Sequence, residues 1–326
     1  MSANIIVKDA LRQSVETASE GRQTVLRTSK GYPSYFNVVP AFKCEEISDR
    51  MGNGLHPAFI VNGVEKSEIL IGTYQAIISN GQALSLPFQT PTTNIDFDKA
   101  RAACEAAGPG FHMLTNWEWA AVTLQMIKNG YGHIRGNTDF GKSHSNPEEF
   151  GIPSCEGGMT LTGSGPDSWR HDGTAHGIAD LVGNVWEWVD GLKLADGRII
   201  MPSDNHFTAG ESLWSDAGAA IDGKGGIHIS EKAMKRGWLN APFTEITVQK
   251  ALLAPLSIGQ ALLHPCDGSM GVPGHVWANN SKGFEAMPFR GGYWSNTGSC
   301  GLAALGLSYV RSYVGSNFGF RPAFIA

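Results

Sequence analysis

The chain has 326 residues, of which 17% are charged and 42% hydrophobic. That length allows one large domain or two ordinary ones with a sizeable core, and the composition excludes a disordered chain. The formal net charge is −5 with no basic stripe, which argues against nucleic acid or an anionic membrane as partner. The 41 glycines and nine tryptophans point to a loop-rich fold packed on large aromatic anchors. Cys44, Cys104, Cys155, Cys266 and Cys300 are scattered and form no CxxC, so they give neither a disulfide framework nor a zinc pattern.

Residues 1–55 read as a small N-terminal unit. Ile5 to Val15 has helix-like apolar spacing, and Tyr32 to Cys44 has strand character. Its size suits an attachment or oligomerisation arm. The N-terminus lacks the apolar run and small-residue cleavage site of a signal peptide, and no stretch approaches a membrane span. Synthesis in the cytoplasm followed by assembly into a particle such as a virion fits that pattern.

Phe59, Val61, Val64, Ile69, Ile71, Tyr74 and Ile77 then alternate with polar residues, which predicts strands with an Asn62-Gly63 turn. Phe97, Ala100, Cys104 and Ala107 share one helical face, with Gly108 as the stop. Thr115 and Glu118 make a capping box, and the helix they start should run past Trp119, Val122 and Met126 to Gly130. Residues 131–176 form a long Gly, Ser, Asn and Pro segment without periodicity. Trp186 and Trp188 read as a buried strand after a Gly183-Asn184 turn. A second irregular excursion is expected over 192–262, with a short helix near Glu231 to Arg236.

The C-terminal segment, Arg290 to Ala326, divides into two classes of position. Arg290-Gly291-Gly292, Trp294, Leu305, Leu307, Arg311 and Gly319-Phe320-Arg321 look like a frame. Tyr293, Ser295, Asn296, Ser299, Cys300, Gly306, Ser308, Tyr309, Tyr313 and Gly315 draw only on Tyr, Ser, Gly, Asn and Cys. All five types are reached from the Asn codon AAC by replacing adenines alone, whereas Trp, Met, Lys, Glu and Gln are not. Tyr supplies stiff contact area and Ser, Gly and Asn supply adaptable hydrogen bonding, the mixture used by antibody paratopes.

Three motifs occur in order: LTNWEWA (Leu114 to Ala120), GNVWEW (Gly183 to Trp188), and RGGYW with VRS and GFRP (Arg290 to Pro322). With them, residues 56–326 resemble the formylglycine-generating-enzyme (sulfatase-modifying-factor) branch of the C-type-lectin fold. The resemblance implies an α+β fold, two helices flanking small twisted antiparallel sheets, with long irregular insertions. It also implies a structural calcium site of Asp180 and Glu187 side chains with Gly183 and Val185 carbonyls, hard oxygens of the kind calcium takes. The enzymes of that branch oxidise a substrate cysteine with a pair of cysteines after the RGG motif. Here Asn296 stands at the first of those positions and Cys300 is alone near the second. An oxidoreductase of that type is therefore the alternative reading only. His112, His171 and His176 lack the spacing of the iron-dependent relatives.

The frame and the codon pattern more closely resemble the variable proteins of diversity-generating retroelements, in which adenine-directed mutagenesis rewrites a C-terminal lectin-fold segment. That resemblance implies a non-catalytic, hypervariable receptor-binding protein, its ten non-frame positions forming the ligand surface. It further implies a protein or glycan ligand on a target cell and display on a phage tail or similar particle through residues 1–55. Avidity would favour a homo-oligomer.

Overall fold

The computed structural model describes residues 9–249, 256–266 and 270–326. The fold is mixed α/β and mostly sheet. The helix expected from Ile5 covers Ala10–Ala18, started by Asp9 Oδ1, which accepts from the Arg12 amide at 3.2 Å. Residues 5–8 of that expectation lie outside the described residues.

A five-stranded antiparallel sheet runs in the order Gln23–Arg27, Pro33–Pro40, Glu68–Gly72, Pro322–Phe324, Phe111–Met113. Within the expected N-terminal unit of residues 1–55, Pro33–Pro40 is thus paired with Glu68–Gly72 of the following region. The reason is that a two-stranded ribbon cannot bury its apolar side alone. Phe36 is fully buried against Phe111 in an edge-to-face pair with ring centres 5.8 Å apart.

Two of the predicted helices form where capping and periodicity place them. Phe97–Glu105 starts at Asp96, whose carboxylate accepts from the Lys99 amide at 2.9 Å. Its apolar face of Phe97, Ala100 and Cys104 is buried, as is Ala107 beyond it. Asn116–Lys128 starts with the expected box: Thr115 Oγ1 accepts from the Glu118 amide at 3.1 Å and Glu118 Oε2 from the Thr115 amide at 2.9 Å. The Asn62-Gly63 turn closes the strands Ile60–Val61 and Val64–Glu65, with both central residues at positive φ.

A larger sheet of 11 strands among the described residues follows the path Trp238–Pro242, His275–Asn279, Gly301–Tyr309, Glu285–Gly291, Lys193–Ala195, Arg198–Met201, Ser215–Asp222, His228–Ser230, Thr247–Val248. The 192–262 excursion, expected to be irregular, therefore supplies a succession of short strands. The expected helix near 231–236 does not form; that stretch is bends, and a helix occurs instead at Leu256–Gln260. Trp186–Trp188 pairs with Glu285–Gly291 and, in parallel, with Phe318–Phe320. The chain then passes through Arg321 into Pro322–Phe324 of the five-stranded sheet, so the C-terminal segment joins both sheets. No helix among the described residues is long and apolar enough to cross a membrane.

Candidate ligand-binding groove

The C-terminal segment leaves the sheet at Gly291, turns, and returns as Gly301–Tyr309, with Phe289 opposite Gly306 and Arg290 opposite Leu305. Gly292 has φ +93, and a Cβ there would lie 2.9 Å from Cys300 Cβ and 3.0 Å from its Cα, so the turn can close only on glycine. The 131–176 segment holds the turn in place. Trp294 O accepts from the Phe140 amide at 2.8 Å and Thr138 O from the Thr297 amide at 3.0 Å. The Trp294 ring packs on Phe140, centres 4.7 Å apart.

Three arginines fix this frame from below. Arg290, fully buried, gives two bonds to Asn116 Oδ1 at 3.0 and 2.7 Å and one each to the Ala261 and Leu262 carbonyls at 3.2 Å. Burial lowers its pKa to about 9, so it stays charged at neutral pH. Arg311 meets Glu211 at 2.7 Å, Asp98 at 3.1 Å and Glu285 at 3.3 Å. Arg321 donates to the Gly72 and Ala179 carbonyls, both at 2.9 Å, and clasps Glu187.

Above this frame lies a groove of about 240 Å³. Its floor is Trp186, Phe289 and Phe318, all buried. Five of the ten expected positions line it: Tyr293, Asn296, Ser308, Tyr309 and Tyr313. Tyr309 and Tyr313 are stacked, with ring centres 3.9 Å apart and planes 13° apart. Burial raises the Tyr313 pKa, with the neighbouring Tyr309 adding to the shift. Among the described residues, no charged side chain lines the groove.

The other five expected positions lie outside the lining. Cys300 is 3% exposed, and Gly306 is buried. A Cβ on Gly306 would stand 1.9 Å from the Phe289 ring, so this glycine is a packing position under the floor and not a contact position. The sequence classed it with the permissive positions by residue type and frame, which carry no information on burial, whereas Gly301 to Ser308 is buried on both faces. Ser295, Ser299 and Gly315 are half-buried beside the groove. Sequence reasoning missed Trp238 and Trp277 in the walls and Phe289 and Phe318 in the floor, and left Asn317 open between frame and permissive position. Trp277 arrives through parallel pairing opposite Gly306, and Trp238 through the strand beyond, opposite Asn279. Its 65% exposure on an edge strand would mark Trp238, but only after pairing is known.

Two of the four expected calcium ligands, the Val185 carbonyl and the Glu187 carboxylate, converge on the Gln75 amide. Gln75 Nε2 donates to the Asp180 carbonyl at 3.2 Å, the Val185 carbonyl at 3.2 Å and Glu187 Oε1 at 3.0 Å. Glu187 is neutralised by Arg321, at 2.6 and 2.8 Å. The Asp180 carboxylate turns away to accept from the Gly163 amide at 2.7 Å, and burial raises its pKa. These residues do not fit calcium: Arg321 and Gln75 already occupy the Glu187 and Val185 oxygens, and the Asp180 carboxylate is turned onto the Gly163 amide. Among the described residues, no group of three His, Cys, Asp or Glu is placed to hold a metal.

Cys300 offers no reactive thiol. Burial pushes its pKa to about 12, and its Sγ donates to the Tyr293 carbonyl at 3.3 Å. It borders a separate cavity of about 380 Å³ between residues 132–145 and 298–302, which none of the tyrosines lines. The three histidines are engaged individually. His112 Nε2 lies 2.8 Å from Glu118, His171 Nδ1 accepts from the Ile178 amide at 2.7 Å, and the His176 carbonyl accepts from Asn37 at 2.8 Å.

No family model and no curated protein matches the chain. Among solved structures it is similar to Treponema denticola variable protein 1, at 12% identity over 93% of this chain and 98% of that one, with a TM-score of 0.35. It is also similar to the Major Tropism Determinant P3c variant, at 11% identity over 89% of this chain and 62% of that one, with a TM-score of 0.34.

Proposed function

We propose that this chain is a non-catalytic ligand-binding protein whose C-terminal surface is diversified by adenine-directed retroelement mutagenesis. Residues 56–326 are assigned to the C-type-lectin fold of the formylglycine-generating-enzyme type. The observation that carries the reading is the convergence of Tyr293, Asn296, Ser308, Tyr309 and Tyr313 on one groove, from positions chosen by codon and frame alone. Exposed side chains over a fixed floor tolerate change, which a packed core does not. The groove's Tyr, Ser and Asn suit recognition, and no activated nucleophile or paired thiol stands among them. The ligand belongs to a target cell, and the N-terminal region carries attachment to a phage tail or similar particle.

Sequencing the gene from sibling isolates tests this. Substitutions should concentrate at the groove positions and at adenines of a near-identical template beside a reverse-transcriptase gene. Substitutions scattered evenly over the chain would sink the proposal.

A further inference from the structure

The groove has two walls of different origin. Tyr293, Asn296, Ser308, Tyr309 and Tyr313 come from the segment read as changeable. Trp238 and Trp277 come from outside that segment, and the tryptophan codon, TGG, contains no adenine for the proposed mutagenesis to act on. Trp277 packs edge-to-face on the floor residue Trp186, centres 5.4 Å apart, and Trp238 stands over Tyr309 at 6.3 Å. An aromatic wall that persists while its neighbours change selects for a constant part of the ligand.

The chemistry of that part is constrained. With no charged residue in the lining among the described residues, a bound cation or anion would lose its hydration without a counter-charge. The volume, about 240 Å³, falls below the roughly 300–1,000 Å³ of pockets for drug-sized ligands, so the groove suits one ring better than an extended segment. Ser308 is 3% exposed, lines the groove, and its hydroxyl has no hydrogen-bond partner among the described residues. The Asn317 amide and the indole N–H groups of Trp238 and Trp277 are likewise unspent. A prolyl or phenyl side chain would cover these groups and leave them unpaired, which is unfavourable, and a tyrosine has only one hydroxyl to offer them. A sugar ring has apolar C–H faces for the indoles and a rim of hydroxyls that both donate and accept.

We infer that the groove binds a single uncharged sugar residue of a glycan, held on one side by the constant pair Trp238 and Trp277. The inference rests on the groove being the ligand site proposed above. It requires no calcium, because Gln75 and Arg321 fill the oxygens a calcium ion would need.

The test is a panel of methyl glycosides of neutral hexoses and N-acetylhexosamines, with sialic acid, a proline-rich peptide and a tyrosine peptide as the other arms. Binding is read by calorimetry and by tryptophan fluorescence, in EDTA and in calcium. At least one neutral glycoside should bind equally in both buffers and shift the fluorescence. Trp238→Ala should weaken it at least tenfold with an unchanged melting temperature, and Trp277→Phe should weaken it less than Trp277→Ala. Binding of sialic acid or a peptide alone, strict calcium dependence, indifference to Trp238→Ala, or no binding by any neutral glycoside would each overturn the inference. Sibling-gene sequences decide the diversification reading separately, so the two can fail independently.

Discussion

Arg321 Nη2 lies 2.6 Å from Glu187 Oε1, and neither side chain has meaningful contact with solvent. The pair sits where the chain crosses from one sheet to the other, at the point expected to hold calcium. Removing one partner leaves a buried charge alone, so Arg321→Met should destabilise the protein by about 3–5 kcal/mol in urea denaturation. EDTA should leave the wild-type melting temperature unchanged; a marked drop would show that calcium displaces the Gln75 and Arg321 contacts.

Positions that look equally permissive in sequence should separate on substitution. Gly306→Ser forces the Phe289 ring aside and should cost about 1–3 kcal/mol. Ser299→Asn, at the half-buried end of the otherwise exposed turn Thr297–Ser299, should stay within about 0.5 kcal/mol of wild type. Urea midpoints of the two variants check this.

Stability should fall on mild acidification. His56 is buried, its Nδ1 accepts from the Ala58 amide at 3.2 Å and its Nε2 faces the Gln260 carbonyl at 3.0 Å. Burial lowers its pKa from 6.5 to about 4, and burial does the same to His171. The unfolded chain then binds more protons between those values, so stability present above pH 6.5 is lost as pH falls towards 4. Each histidine contributes up to about 3 kcal/mol to that loss. His112 opposes it: burial lowers its pKa, but Glu118 outweighs burial and leaves it raised, so its stabilisation is present below pH 6.5 and lost as pH rises. Urea midpoints from pH 7 to pH 4.5 should decline for the wild type, and His56→Gln should flatten the decline.

Thiol labelling should find one readily reactive group among Cys155, Cys44, Cys104 and Cys300. Cys155 is exposed, whereas burial raises the pKa of Cys44 to about 11 and of Cys300 to about 12, and raises that of Cys104 as well. Mass spectrometry after alkylation at pH 8 should place the fast label on Cys155 and reach Cys300 only after unfolding.

Local signals in the sequence were faithful where a few adjacent residues decide the outcome. The Thr115–Glu118 box, the face from Phe97 to Ala107, and the Trp186 and Trp188 strand depend on spacing within one or two turns. The 192–262 strands were illegible because they are short, interrupted by glycine, and ordered by partners elsewhere in the chain. The groove shows the same limit. Half of it was readable from codon chemistry, but Trp238 and Trp277 join it only through strand pairing. The burial of Gly306 follows from a ring on the neighbouring strand that no local pattern reveals.

Glu68–Gly72 and Phe111–Met113 lie on either side of Pro322–Phe324, and Trp186–Trp188 waits for Phe318–Phe320. A chain cut at residue 317 keeps every groove residue from Tyr293 to Asn317 yet lacks both closing strands. The ribosome therefore delivers the changeable groove positions before the floor residue Phe318 and before the strands that tie the two sheets together. Copies truncated at residue 317 should therefore fail to refold in the test tube, whereas copies carried through to Phe324 should refold.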